Sequence, residues 1–139
     1  MQGSVFALLL AVLLISPAAS RESKKKRDAA YEATVQTYSQ ELKPGMTRVE
    51  VEAYLRKQGT RFMQMCCVER DSYWDDLVEI GEEGHPWYCS EHYVYVAFEF
   101  VATEQNQAAT VRERVLSWKA HESDVLKVIK RYDMLGGCL

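Results

Sequence analysis

Hydrophobic and polar positions divide this chain into a helical first half and a strand-rich second half. Over residues 28–42, apolar side chains recur at spacings of four, three and four residues, which places them on one face of a helix. The members of this stripe are Tyr31, Val35, Tyr38 and Leu42. The pattern predicts an amphipathic helix that ends before Pro44 and needs a flat partner to cover its narrow apolar face.

A second helix has both of its ends specified by the sequence. Thr47 is a good N-cap, because its hydroxyl can accept a hydrogen bond from a backbone N–H that the helix leaves without a partner. Glu50 lies three residues later and completes a capping box. Gly59 can adopt the left-handed conformation that ends a helix. The sequence therefore predicts a helix between Thr47 and Gly59, joined to the first by a Pro44-Gly45 turn.

The clearest strand covers residues 93–101, where apolar and amphipathic side chains alternate. Residues 61–68 and 77–80 are predicted to form further strands, with a loop over residues 69–76. One face of such a sheet is apolar enough for a core, which is what a single sheet with helices on one side requires. We therefore predict an α+β fold, with two N-terminal helices packed on one face of a small antiparallel sheet of about four strands.

The segment over residues 111–135 is open to two interpretations. Its apolar residues can be placed at helical spacing with a break at 122–124, and periodicity alone slightly favours a helix. Residues 125–129 also form a plausible strand, because they are rich in β-branched side chains.

The first twenty residues are predicted to be a secretory signal peptide. An apolar run over residues 5–15 precedes Ala18 and Ser20, which satisfy the rule of small residues at a cleavage site. The run is shorter than the roughly 20 residues that a membrane-spanning helix needs. Five basic residues follow within 21–27 and none precede the run, so a short uncleaved membrane anchor is the alternative. Residues 21–27 are predicted to be a flexible basic lead-in, and 28–139 a single domain in the periplasm or outside the cell.

The segment Leu42-Lys43-Pro44-Gly45-Met46-Thr47 opens a helix that contains Val51 and Leu55 and that is followed by Gly59 and antiparallel strands. This order resembles the small envelope-domain family of outer-membrane assembly lipoproteins, SmpA/OmlA or BamE-like, over residues 31–100. The resemblance implies two helices on a small antiparallel sheet, a terminal strand over residues 124–134 and a role in the cell envelope. A typical member carries a lipobox cysteine at its mature N-terminus, and this chain has none near the predicted cleavage site.

Four cysteines are the most specific polar set in the sequence: Cys66, Cys67, Cys89 and Cys138. In an exported chain such an even number predicts disulfides, and one structural bridge is our expectation. Adjacent cysteines bridge only with strain, which disfavours Cys66–Cys67. If the termini of the sheet meet, Cys138 would pair with Cys66 or Cys67 and stabilise the fold by about 4 kcal/mol. Two bridges, or free thiols, are the alternatives.

Cys89 and His92 could instead be a metal or thiol centre, with His85 nearby. A structural zinc site usually shows paired ligands in both halves of a sequence, and only one such pair is visible here. No orienting third residue for a nucleophile can be recognised either. We therefore predict no enzymatic activity, no metal and no cofactor.

Aromatic side chains among acidic residues are the candidate partner-binding residues, since such residues are common in protein interfaces. They are Trp74, Trp87, Tyr88, Tyr93 and Tyr95. With a net charge of −3, the chain is not expected to bind nucleic acid. We predict an exported, non-catalytic binding module whose partner is another envelope protein, with membrane contact only through a retained leader. The alternatives are a metal-binding or thiol-dependent protein centred on Cys89 and His92, and an inhibitor-like docking domain.

Overall fold

The computed structural model describes residues 17–66, 74–102 and 120–139. Two helices, α1 (Pro17–Glu41) and α2 (Arg48–Lys57), precede the strands β1 (Met63–Cys66), β2 (Trp74–Glu82), β3 (Glu91–Val101) and β4 (Val125–Gly136). The strands form one antiparallel sheet in the order β1-β2-β3-β4. The predicted α+β fold, with two helices followed by a four-stranded antiparallel sheet, is confirmed.

The ends of α2 are those that the sequence predicts. The Glu50 carboxylate accepts a hydrogen bond from the Thr47 backbone N–H at 2.7 Å, and the Thr47 hydroxyl accepts one from the Glu50 N–H at 3.4 Å. These two bonds form the capping box. The Thr47 hydroxyl also donates to the Glu50 carboxylate at 2.7 Å, and this bond, followed by the one from the Thr47 N–H, lowers the pKa of Glu50. At the other end, Gly59 has a φ of +69°, a conformation that side chains with a Cβ rarely adopt.

Helix α1 begins earlier than predicted, and it includes the segment 21–27 that we expected to be a flexible lead-in. Ion pairs one turn apart stabilise this segment, from Lys24 to Asp28 at 2.8 Å and from Lys26 to Glu22 at 3.2 Å. The apolar pattern missed it because these turns carry no apolar stripe. Among the described residues, no helix combines the length and the apolarity that crossing a bilayer requires.

The main core lies between the helices and one face of the sheet. Its fully buried members are Val35, Leu42, Val51, Leu55, Val78, Val96, Phe98, Phe100 and Leu126. The predicted apolar stripes of both helices and the alternating residues of β3 supply most of this set. The ring of Tyr38 meets Phe98 edge to face, with centroids 5.3 Å apart, which fixes α1 across the middle of β3.

Residues 125–136 form a strand that pairs with β3 along its whole length. The helix that periodicity slightly favoured is therefore wrong for residues 125–135, and the terminal strand is confirmed, whereas residues 111–119 of that prediction lie outside the described part of the chain. Two β-bulges, at Glu79/Gly81 and Glu99/Phe100, shift the register of the sheet. The strand β2 starts at Trp74, so the loop predicted over 69–76 is wrong for its last three residues, and its first five lie outside the described part of the chain.

The opposite face of the sheet also buries side chains. Leu77, Tyr95 and Ala97 are at most 2% exposed, and they pack with Met65, Tyr93, Tyr132 and Met134; we call these seven residues the outer cluster. Tyr95, one of the candidate partner-binding residues, is therefore buried at the centre of this face.

Candidate functional site

The loop between β2 and β3 carries two exposed aromatic side chains at the end of the sheet. Trp87 is 89% exposed and Tyr88 is 43% exposed, and their rings meet edge to face with centroids 5.7 Å apart. Two exposed leucines, Leu135 and Leu139, belong to the chain segment that runs beside this loop. We call Trp87, Tyr88, Leu135 and Leu139 the tip surface. Large apolar side chains are rarely left in water together without an interaction to explain them.

Hydrogen bonds and a disulfide fix the backbone of the tip loop and of the C-terminal segment beside it. The Cys89 N–H donates to the Pro86 carbonyl at 3.0 Å, which closes a turn around Trp87 and Tyr88. The Leu139 N–H donates to the Tyr88 carbonyl at 2.8 Å. A disulfide joins Cys89 to Cys138 across a separation of 49 residues. The backbone that carries the exposed Trp87 side chain is therefore held in one conformation by these bonds.

The Cys89–Cys138 bridge corrects the predicted pairing of Cys138 with Cys66 or Cys67. Because Glu91 lies opposite Gly136 in the β3–β4 register, the cysteines that flank this pair come together. Cys66 lies on β1, which is separated from β4 by two strands in the sheet order. Cys66 is itself disulfide-bonded, so the expectation of one bridge is wrong and the alternative of two bridges holds; Cys67 lies outside the described residues. Both bridged cysteines of the tip lack a thiol, so Cys89 in this form can neither ligate zinc nor attack a substrate.

A shallow depression of about 560 Å³ lies beside the tip surface and includes His85, His92 and Asp133 in its lining. His92 is hydrogen-bonded through Nε2 to Asp133 at 3.0 Å and through Nδ1 to the Gly84 carbonyl at 3.2 Å. Among the described residues, no group of three or more His, Cys, Asp or Glu side chains could hold a metal ion. His92 thus positions the loop on β4, which is a structural role.

Arg131 connects this end of β4 to α1. It donates to both oxygens of Asp133, at 2.7 and 2.9 Å, and to Asp28 at 2.9 Å. Burial raises the pKa of Asp133, but the hydrogen bonds from Arg131 and His92 more than offset this and leave the pKa lowered. Helix α1, strand β4 and the tip loop are therefore linked through a continuous network of polar side chains.

The five aromatic residues proposed from the sequence do not lie together. Only Trp87 and Tyr88 are on the tip surface. Tyr95 is 2% exposed, because it faces Tyr132 within the outer cluster, and the half-buried Tyr93 packs at the edge of that cluster. Trp74 is 8% exposed at the start of β2. The expectation that all five are exposed is thus wrong for Trp74 and Tyr95.

A buried charge cluster joins α2 to the sheet, and the sequence interpretation missed it. Arg48, 1% exposed, donates to Asp76 at 2.5 Å, to Asp124 at 3.3 Å and to the Trp74 carbonyl. Its guanidinium lies 3.9 Å from the centroid of the Phe100 ring. Arginine in the first turn of a helix is usually exposed, so only the position of Arg48 beside the apolar Val51 stripe could have indicated burial.

Two carboxyl groups near this cluster have strongly raised pKa values. Burial raises the pKa of Asp76 to about 7 in spite of the neighbouring Arg48. On the other face of the sheet, burial and then the nearby Glu99 raise the pKa of Asp75 to about 7. Perturbed carboxyls can mark an active site. Both side chains are 0% exposed, however, so a substrate cannot reach them and their role is structural.

These pKa values predict that the protein is more stable at pH 5 than at pH 8. Between the ordinary value of 3.8 and about 7, the folded state holds protons on Asp75 and Asp76 that the unfolded chain has lost. The free energy of unfolding therefore falls as the pH rises through this window, by on the order of 2 kcal/mol for each carboxyl. Urea denaturation at pH 5, 6, 7 and 8 measures this slope. Asp75→Asn should flatten it, and an unfolding free energy that rises from pH 5 to pH 8 would show that these carboxyls are ionised in the fold.

Comparison of the chain with protein-family models, with curated proteins and with solved structures found no match.

Proposed function

We propose that this chain is an exported, non-catalytic binding module of the cell envelope, which contacts a second envelope component through the tip surface. The observation that carries the proposal is Trp87, almost fully exposed on a loop that a disulfide and backbone hydrogen bonds hold in place. Tryptophan and tyrosine are enriched among the residues that contribute most to binding. A fixed loop loses little conformational entropy when it binds, so most of the free energy of these contacts contributes to the affinity.

Two observations support a non-catalytic role. The carboxyls with strongly raised pKa values, Asp75 and Asp76, are sealed from solvent. The cysteine that the thiol and metal hypotheses need, Cys89, is bridged to Cys138. Both the thiol hypothesis and the metal hypothesis therefore lack the free thiol that they require at Cys89.

Export is supported by the bridged cysteines together with the predicted signal peptide. Disulfides persist in oxidising compartments such as the periplasm and the extracellular space, and they are rare in the cytosol. The Cys89–Cys138 bridge lies at the tip surface itself, so an oxidising compartment would also keep the contact surface in its fixed form.

The proposal predicts that a photo-crosslinking amino acid at position 87 captures a component of the envelope in intact cells. The matched control is position 49, because Val49 is 46% exposed on α2, near the start of β4 and hence at the other end of the sheet. We expect one dominant adduct from position 87 and little or none from position 49, as resolved by gel electrophoresis and mass spectrometry. Equal adducts from both positions, or adducts from position 49 alone, would contradict the proposal.

A further inference from the structure

The first turns of α1 lie at the same end of the molecule as the tip surface. Arg27 donates to the two carboxylate oxygens of Glu83 at 2.9 and 3.1 Å, at the point where β2 leads into the tip loop. One turn further along α1, the Tyr31 hydroxyl donates to the Glu82 carbonyl at 3.4 Å. The residues of α1 that precede Arg27 therefore extend beyond the end of the sheet at which the tip loop lies.

Positive charge is concentrated in residues 21–27 of these turns, and all seven side chains are exposed. Residues 21–27 contain five basic residues and one acidic residue, a net charge of +4 in a chain whose net charge is −3. The basic residues are Arg21, Lys24, Lys25, Lys26 and Arg27. The ion pairs of Lys24 and Lys26 are exposed pairs within the helix, which contribute little, so both ammonium groups can turn to another anion.

We propose that this end of the domain docks on an anionic lipid bilayer, with Trp87 and Tyr88 in the headgroup region and the basic turns of α1 against the lipid phosphates. The inference rests on the proposed function and names the partner of the same tip surface. Tryptophan and tyrosine are favoured at the membrane interface, since their rings are apolar and their edges can hydrogen-bond to water and headgroups. Basic residues close to an anionic bilayer add electrostatic attraction.

Charge complementarity favours a bilayer over a protein as the occupant. The residues outside 21–27 carry a net charge of −7, so an anionic surface attracts the basic turns and repels the rest of the domain. This asymmetry orients the molecule with the tip surface toward the lipid. Exposed carboxylates at this end, such as Glu82 and Glu91, oppose the attraction, whereas Glu83 is paired with Arg27. The binding should therefore be moderate and sensitive to salt.

The apolar run over residues 5–15 adds a second argument, because it immediately precedes the basic turns in the sequence. A retained run would hold these turns at a membrane, and cleavage after Ser20 would leave all five basic residues in place. In both forms the interaction needs two elements, an apolar contact and a basic cluster, which is the combination that gives stable association with a bilayer.

The test uses the protein as it is recovered from the cell, with its N-terminus defined by intact mass. Tryptophan fluorescence is measured against two kinds of vesicle, one with about one third brominated phosphatidylglycerol in phosphatidylcholine and one with the same share of brominated phosphatidylcholine. The bromine atoms quench a tryptophan that enters the interface. The variants are Trp87→Phe, which removes the reporter, and Lys24→Gln/Lys25→Gln/Lys26→Gln, which removes three charges. All proteins carry Trp118→Phe, because Trp118 lies outside the described residues, and the buried Trp74 serves as an internal reference.

We expect quenching with the anionic vesicles at low salt, loss of most of that quenching in Trp87→Phe, and affinity at least about 10-fold weaker in the triple variant. Equal quenching by vesicles that carry the bromine on neutral phosphatidylcholine, unchanged in high salt, would overturn the anionic specificity. Absence of quenching together with a protein adduct from position 87 in cells would overturn the bilayer as partner. The same result would support the proposal that the chain is a binding module. Absence of both would overturn the two proposals together.

Discussion

Replacing Arg48 with methionine is expected to lower the free energy of unfolding by about 3–5 kcal/mol, because removing one partner of a buried ion pair leaves the other charge uncompensated. At pH 8, above the pKa of about 7 that burial gives Asp76, two carboxylates lose their partner at once, Asp76 and Asp124, and the Trp74 carbonyl loses a donor. Methionine fills much of the same space beside Phe100, so the loss reports charge rather than a cavity. Urea denaturation monitored by circular dichroism measures it.

The matched control is Arg56→Met on the same helix. Arg56 forms an exposed pair with Glu52 at 2.5 Å, and such pairs contribute less than about 1 kcal/mol. Adding Asp76→Asn to Arg48→Met should recover part of the lost stability, since it removes one of the stranded charges. If the two arginine variants were equally stable, Arg48 would not be the buried link between α2 and the sheet that the structure describes.

Replacing both Cys89 and Cys138 with serine is expected to lower the free energy of unfolding by about 4 kcal/mol, because the bridge closes a loop of about 50 residues in the unfolded chain. The variant should also release the tip loop, so its amide hydrogens over residues 84–90 should exchange faster than those in the middle of β3. Thermal and urea unfolding measure the first effect, and hydrogen exchange with mass spectrometry measures the second.

Ser90→Ala is a suitable control for this variant, because Ser90 adjoins the bridge and its hydroxyl makes only a long contact of 3.5 Å to the Gly136 carbonyl. Its stability should stay within about 0.5 kcal/mol of the parent. An unchanged exchange rate at the tip of the double serine variant would mean that backbone hydrogen bonds alone fix Trp87.

The parts of the fold that could be predicted from the sequence are those determined by local chemistry. The capping box of Thr47 and Glu50 and the left-handed Gly59 define α2 without reference to the rest of the molecule. The alternation along β3 defines a strand for the same reason. The N-terminal turns of α1 were missed because exposed ion pairs, rather than an apolar stripe, stabilise them.

The remaining features depend on partners that are distant in sequence. Residues 125–136 fit a helix or a strand by periodicity, and only pairing with β3 decides between them. The partner of Cys138 follows from the β3–β4 register, which brings Glu91 opposite Gly136. Likewise Tyr95 and Trp87 are both aromatic residues in a polar setting, and only the packing of the outer cluster separates the buried one from the exposed one.

The buried charge cluster and the tip surface lie at opposite ends of the sheet. The first stabilises the fold and the second is proposed to contact a partner. Arg48 fixes α2 to β2 and to the turn before β4, whereas Arg131 and the Cys89–Cys138 bridge fix α1 and the tip loop at the other end. Variants of Arg48 should therefore change stability more than contact with a partner, and variants of Trp87 should do the reverse.

We propose that Trp87 is the residue through which this module contacts the envelope, and hydroxyl-radical footprinting can show whether it is. The oxidation rate of the Trp87 side chain is compared between the purified protein and the protein in its native envelope fraction, with Val49 as the exposed reference. We predict that Trp87 oxidises several-fold more slowly in the envelope while the rate at Val49 stays the same. Protection of Val49 with Trp87 unprotected would contradict the claim.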